Sequence, residues 1–224
     1  MNLVFVGCEY AGKSTIAAEV MTWAERLLGK TSHFHDHFSV PSNELSPEAQ
    51  ESMLQAHPQL LEGYQRYALT YHVRPHFYDN PDHNLMGFVI EEAVYAPLYY
   101  GYGCKDSPAT HRSPEGQRTE MARRFEQQML EFAPDTVLVL FKASAEVIAR
   151  RMREAPHTHQ VVQEKDIAHV LERFEEEVEA SLIQKRVILD TSSSTVAETM
   201  AEFVDNHEPF FSNADLLRRR QRQG

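Results

Sequence analysis

Leu3-Val4-Phe5-Val6-Gly7-Cys8-Glu9-Tyr10-Ala11-Gly12-Lys13-Ser14 is the stretch whose reading decides the fold. From Gly7 onward it fits GxxxxGK[ST], a loop that closes around phosphate oxygens. Gly7 and Gly12 allow the backbone to turn its N–H groups inward, Lys13 reaches toward the β and γ phosphates, and the Ser14 hydroxyl is suited to a Mg²⁺ ion. Tyr10, Ala11 and Thr15 complete the expected nucleotide contacts. The context supports the motif. An apolar run comes before it, and Ile16, Val20, Trp23, Ala24 and Leu27 recur afterwards at helical spacing, with Gly29 where a C-terminal cap belongs.

Outward from this loop, strand-like and helix-like segments alternate, which predicts an α/β fold with a mostly parallel sheet covered on both faces. Strands are expected near 2–6, 32–36, 86–91, 136–142 and 186–190. Ser46-Pro47 reads as a helix cap followed by proline at the first helical position, opening a helix to about Ala56. A second helix follows Pro58 and carries Leu60, Leu61, Tyr64, Tyr67, Ala68 and Tyr71. The segment from Gly101 to Gly116, with Pro108 and Pro114, reads as a loop. Ser144 caps a helix that breaks at Pro156, and Thr195 with Glu198 forms a capping box for the last amphipathic helix.

At 224 residues the chain suits one domain, expected over 1–212, with a helical insertion at about 44–85. No apolar run approaches the length needed to cross a bilayer, and a strand beginning at Asn2 leaves no room for a leader, so a cytoplasmic location without a membrane partner is expected. Two cysteines without CxxC spacing suggest neither a disulfide framework nor a zinc site. Cys8 is either a small tolerated side chain or a thiol made reactive by the loop dipoles. A formal charge of −11 disfavours nucleic acid as a partner, although the end of the chain, LRRRQRQ, carries four arginines. That basic tail, 213–224, reads as either a solvated end or a contact element.

With these landmarks placed, the chain resembles the thymidylate kinase-like and deoxynucleoside kinase-like branch of P-loop kinases over nearly its whole length. LLEGYQRYALTYHVRPHF resembles that family's long acceptor-site helix, and GFVIEE stands where its third strand ends. FAPDTVLVLFKASAEVIARRM is the nearest match, with Arg151 where the family places an arginine near adenine and phosphates. VILDTSSSTVAET resembles the last strand and the loop that cups the base, which implies Ser192 and Ser193 as contacts. The resemblance implies a P-loop three-layer sandwich of sheet order 2-3-1-4-5, ATP as donor, Mg²⁺, a lid at about 153–165, and, since the family often dimerises, a homodimer. It also implies an acceptor pocket in the helical insertion.

Two departures bear on the acceptor. Leu69 stands where an arginine is expected before His72, and Glu91-Glu92 replaces Asp-Arg. Guanidinium groups pair with phosphate in a bidentate way, so their absence favours a neutral hydroxyl acceptor over a nucleoside monophosphate.

Phosphoryl transfer needs cations and a group to orient or deprotonate the nucleophile. Lys13, Arg151 and Arg153 are the cation candidates. Glu91, expected at the end of a buried strand, is read as general base or as holder of a Mg²⁺-bound water, with Glu92 turned to the opposite face by strand alternation. Asp36, ending the second strand, is a second base candidate beside the acceptor. Tyr64, Tyr95 and Tyr99 supply aromatic walls, and Arg66 or Arg74 is the replacement phosphate ligand if a monophosphate is the acceptor. His33, His35 and His37 share one face of an extended strand and are open to metal binding, packing or acceptor hydrogen bonds. The expected activity is Mg·ATP-dependent phosphotransfer to a small neutral acceptor; a nucleoside monophosphate kinase, a nucleic-acid kinase and an acceptor-free ATPase are the alternatives.

Overall fold

The computed structural model describes residues 1–29, 33–36, 38–79, 82–104, 106 and 117–223. His37 and most of the expected loop from Gly101 to Gly116 lie outside the described residues. Strands β1 (Leu3–Gly7), β2 (His33–His35), β3 (His83–Met86), β4 (Val137–Lys142) and β5 (Lys185–Asp190) form one parallel sheet in the order β2-β3-β1-β4-β5, as expected. In register, Phe5 lies opposite Met86 on one side and Val139 on the other. Every residue of β1 is buried, so both faces of the sheet centre are covered.

The helices are α1 (Lys13–Leu28), α2 (Pro47–Leu54), α3 (Pro58–Tyr71), α4 (Phe88–Tyr95), α5 (Arg118–Phe132), α6 (Ala145–Glu154), α7 (Ile167–Glu179), α8 (Val196–His207) and α9 (Asn213–Gln223). One layer is built from α4 with α5 and α7, the other from α1 with α8 and α9. The caps act where the sequence signals them. Ser46 accepts from the Ala49 amide with Pro47 at the first position, Ser144 accepts from Val147, and Thr195 and Glu198 close a reciprocal capping box. Among the described residues no helix is long and apolar enough to cross a membrane.

The third strand is a correction. It was expected over 86–91 but spans His83–Met86, and Phe-Val-Ile-Glu-Glu opens α4 instead. Gly87, at φ 80°, turns the chain out of the sheet; a Cβ there would lie 2.5 Å from the Glu91 carboxylate. Helix α4 is buried on nearly all sides, and a short apolar run buried all round has no periodicity to tell helix from strand. Glu91 and Glu92 therefore diverge by helical rotation rather than by strand alternation.

Residues 213–223, read as a basic tail, form α9 packed against α1. Arg218 makes a two-point ion pair with Asp82, 2.9 and 2.7 Å, and donates to the Leu28 carbonyl at 3.1 Å. The Met1 nitrogen bonds both Asp82 and Asp215. Trp23 of α1 meets Phe203 edge-on at 5.7 Å, with His207 at 6.1 Å and Phe211, leading into α9, at 5.9 Å.

Candidate active site

β1 delivers the phosphate loop at the carboxyl edge of the sheet. Gly7 (φ 146°) lies opposite Phe141, and any Cβ there would stand 2.4 Å from the Phe141 carbonyl oxygen. Tyr10 (φ 67°) and Gly12 (φ 85°) adopt left-handed backbone conformations. A non-glycine residue pays about 1–2 kcal/mol for that conformation, so Tyr10 is held there by its surroundings. Lys13 folds back over the loop, donating to the Gly7 carbonyl at 2.5 Å while its ammonium lies 2.6 Å from Glu91 Oε1. Burial pushes the Cys8 thiol up to about 12, so it is a packed neutral group and not a reactive thiolate.

Arg151 bolts this loop to the last strand. Its Nη1 donates to the Tyr10 carbonyl at 2.9 Å and to Thr191 Oγ1 at 3.1 Å, and Nη2 donates to the Thr191 carbonyl at 2.6 Å. Thr191 in turn donates to the Ala11 carbonyl at 3.0 Å. Between these elements lies a cavity of about 440 Å³, lined by Lys13, Ser14, Thr15, Arg151, Thr191 and Ser194 among others. Tyr10 and Gly12 also line it, while Ser192 and Ser193 do not. Ser192 is engaged structurally, accepting from the Ser144 amide at 2.9 Å.

A second cavity of about 700 Å³ adjoins the first and shares Glu9, Lys13 and His157 with it. Its walls come from the 38–43 segment, from Gln50 of α2, from Glu91, Glu92 and Tyr95 of α4, and from Pro156 to Val161. Of the expected acceptor residues, Glu91 and Tyr95 line it. Asp36 does not line it and accepts from Asn43 Nδ2 at 3.3 Å. Tyr64 packs against the core, Arg74 is exposed, and Tyr99 donates to Asp166 at 3.3 Å. Arg153 is paired on the surface with Glu164 at 2.5 Å and lines neither cavity.

The two adjacent carboxylates have separate environments. Burial raises the Glu91 pKa; Lys13 opposes that shift, while the charges of Asp36 and Glu9 reinforce it. Its Oε1 is paired with the Lys13 ammonium at 2.6 Å. Glu92 is instead paired with Arg118 at 2.7 Å and accepts from Tyr102 at 3.0 Å. Arg118, from α5, is 1% exposed and does not line the cavity, so the cation missing after Glu91 in sequence returns as a core partner of Glu92.

Several lining residues carried no sequence signal. Glu9 accepts from the Val161 and Val162 amides, both at 3.0 Å, and meets His157 Nδ1 at 2.6 Å. His157 stacks on Tyr10 with ring centroids 4.1 Å apart. These contacts join the phosphate loop to a segment distant in sequence, which no local pattern announces. Of the expected histidine face, His33 stacks on His83 at 5.2 Å and His35 Nε2 lies 3.3 Å from His83 Nδ1. Among the described residues no group of three or more His, Cys, Asp or Glu is arranged to hold a metal.

No protein-family model and no curated protein matches this sequence. Solved structures do. The YorR protein from Bacillus subtilis, in complex with phosphorylated GDP, is 16% identical, with a TM-score of 0.56 over 95% of this chain and 100% of that one. Deoxyadenosine kinase from M. mycoides with bound dATP is 14% identical, with a TM-score of 0.58 over 93% of this chain and 100% of that one. The same kinase with products dCMP and dCDP gives 12% identity and a TM-score of 0.55 over 93% and 100% of the two chains. The chain therefore has the fold of the deoxynucleoside kinase-like P-loop proteins.

Proposed function

We propose that the protein is a Mg·ATP-dependent phosphotransferase that moves the γ-phosphoryl group to a hydroxyl of a neutral, nucleoside-like acceptor. The observation that carries this reading is the pair of adjoining cavities that meet at Lys13. One is built on the phosphate loop; the other has Glu91 in its wall and, among the described residues, no arginine. A phosphate dianion there would stand beside the Glu91 carboxylate with no guanidinium in the cavity wall, among the described residues, to receive it in a bidentate way. Arg74, exposed beyond α3, and Arg66, on α3, do not line the cavity, which weighs against a monophosphate acceptor.

In this reading the donor's phosphates lie along the loop amides and the Lys13 ammonium, and Arg151 fixes the width of the donor cavity. Glu91 accepts the proton of the acceptor hydroxyl as its oxygen bonds to the γ-phosphorus. The bond to the β,γ-bridging oxygen breaks, and ADP leaves with that electron pair. The residues present fit a Mg²⁺ ion: Ser14 lies in the donor cavity, and the Glu91 carboxylate beside Lys13 is suited to hold a water bound to the ion. Mg²⁺ typically needs only one or two protein oxygens when phosphates and water supply the rest. Bound there, it would neutralise charge on the phosphates. Asp36 acts through Asn43 and through its charge on Glu91 rather than on the acceptor itself. The reading carries with it a cytoplasmic setting and, by resemblance, a homodimer.

The test is Mg²⁺-dependent ADP release from ATP across a panel of deoxynucleosides, nucleoside monophosphates, sugars and oligonucleotides, beside Lys13→Ala. Stimulation by neutral nucleosides, lost in the variant, is expected. Stimulation by monophosphates alone would overturn the acceptor assignment, and ATP binding without stimulation by anything would overturn the kinase reading.

A further inference from the structure

Glu9 sits in the phosphate loop, but its carboxylate serves neither a phosphate nor a metal ligand in the arrangement described above. One oxygen accepts from the consecutive amides of Val161 and Val162, both at 3.0 Å, and the other meets His157 Nδ1 at 2.6 Å. Its side chain is 14% exposed. Tyr10, the next residue, extends the same grip. Its hydroxyl accepts from the His157 amide at 2.8 Å and donates to Gln160 Oε1 at 3.0 Å, and its ring carries the His157 ring at 4.1 Å. The gripped segment is the roof of the acceptor cavity, to which Pro156, His157, Thr158, His159 and Val161 contribute. Glu9 itself stands on the boundary between the two cavities.

Two backbone amides converging on one carboxylate oxygen form a directed, charge-assisted contact whose strength depends on reach as well as charge. Val162, fully buried, anchors the segment just beyond it. Arg153, at the root of the same segment, points away and pairs with Glu164, so the roof is held by Glu9 and Tyr10 rather than by its own arginine.

We infer that Glu9 is a positioning residue for the acceptor: by latching residues 157–162 onto the phosphate loop, it closes the acceptor cavity beside the reacting γ-phosphate and keeps water from competing with the acceptor hydroxyl. This rests on the phosphotransferase reading above for its kinetic consequence, but the latch itself is independent of it. Closure of this kind acts through acceptor binding and water exclusion, not through the chemical step of a correctly bound complex.

The experiment combines amide hydrogen exchange with kinetics on the full chain, in wild type, Glu9→Ala, Glu9→Gln and Glu9→Asp. In Glu9→Ala, exchange at Val161 and Val162 accelerates by at least about tenfold. The acceptor KM rises by a similar factor, ADP release without acceptor increases, and the ATP KM stays within about twofold of wild type. Glu9→Gln keeps an oxygen at the same reach and restores most of the protection and of the acceptor KM. Glu9→Asp keeps the charge but loses a methylene and follows Glu9→Ala. Unchanged exchange at both amides in Glu9→Ala and Glu9→Asp would overturn the latch. So would Glu9→Asp behaving as wild type, since that would reduce Glu9 to a bare charge. If wild type releases no ADP with any acceptor, the phosphotransferase reading fails while the exchange data still decide whether the latch exists.

Discussion

The cavities proposed to hold the donor and the acceptor share three residues yet are built on opposite plans. The donor cavity is made mainly of one contiguous loop, its backbone amides shaped by Gly7, Tyr10 and Gly12, and one arginine that locks the loop to Thr191. The acceptor cavity is assembled from side chains of scattered segments, with Phe38 and Gln50 on one wall, Glu91 and Tyr95 on another, and a roof carried by Glu9. Backbone recognition tolerates wide change in the surrounding sequence, whereas recognition by side chains changes with each substitution. The chain can therefore keep the fold of its structural neighbours at 12–16% identity to them.

The contrast is broken most directly at the residue both cavities share. Lys13→Ala should lower acceptor-stimulated kcat/KM by on the order of 10³, because one preorganised charge next to the transferred group carries that much transition-state stabilisation. A residual activity near wild type would detach both cavities from phosphoryl transfer. Glu91→Gln comes next. It should reduce kcat by about 10² to 10³ if Glu91 takes the acceptor's proton. The pH profile sharpens this point. Burial raises the Glu91 pKa, and only the ionised carboxylate accepts a proton. In wild type kcat should thus fall, as pH decreases, at a pH above the ordinary carboxylate range, and this limb should vanish in Glu91→Gln. An unshifted limb in the variant would assign the base elsewhere.

Arg151→Met tests the donor side alone. Losing three hydrogen bonds between Arg151 and the Tyr10 and Thr191 groups should raise the ATP KM about tenfold and leave the acceptor KM unchanged. A matching rise in both constants would mean that the two cavities are not separately built. The smallest expected effect on turnover lies outside both cavities. His207, buried beneath Phe203 and Phe211, has its pKa lowered to about 4 by desolvation. The unfolded chain binds this proton below its ordinary pKa of 6.5 and the folded chain does not until about 4, so stability should be lost as pH falls through that window. The loss amounts to about 3 kcal/mol at most. His207→Phe should flatten that dependence in thermal melts without altering either KM; an equally steep slope in the variant would place the titrating group elsewhere.

The same contrast explains what could be read in the sequence. Gly7 to Ser14 is local in sequence and in space, so its role is visible in one line of residues; the sheet order followed from the resemblance that line opened. Ser144, Thr195 and Glu198 were equally legible, because a cap acts within one helical turn. Glu91 was found as a candidate, but on the wrong element: FVIEEAVY is buried all round as a helix, and nothing in its pattern excludes a strand. Ser192 and Ser193 were placed one step from Thr191, which meets Arg151 and Ala11, because the approach of the loop depends on register across β4 and β5. Glu9, His157 and Arg118 were invisible for a common reason. Each acquires its function from a partner far along the chain, Val161 for Glu9 and Glu92 for Arg118, and such meetings exist only after the fold has formed.

Trp23 is the chain's single tryptophan, and its neighbours are Phe203, His207 and Phe211. It lines neither cavity. The molecule thus carries one optical reporter trained on the seam where α1 meets α8 and the approach to α9. Its emission should stay silent through substrate addition yet respond when His207, whose ring lies edge-on to the indole, takes up a proton. A single cuvette can then follow the integrity of that seam while turnover is monitored independently.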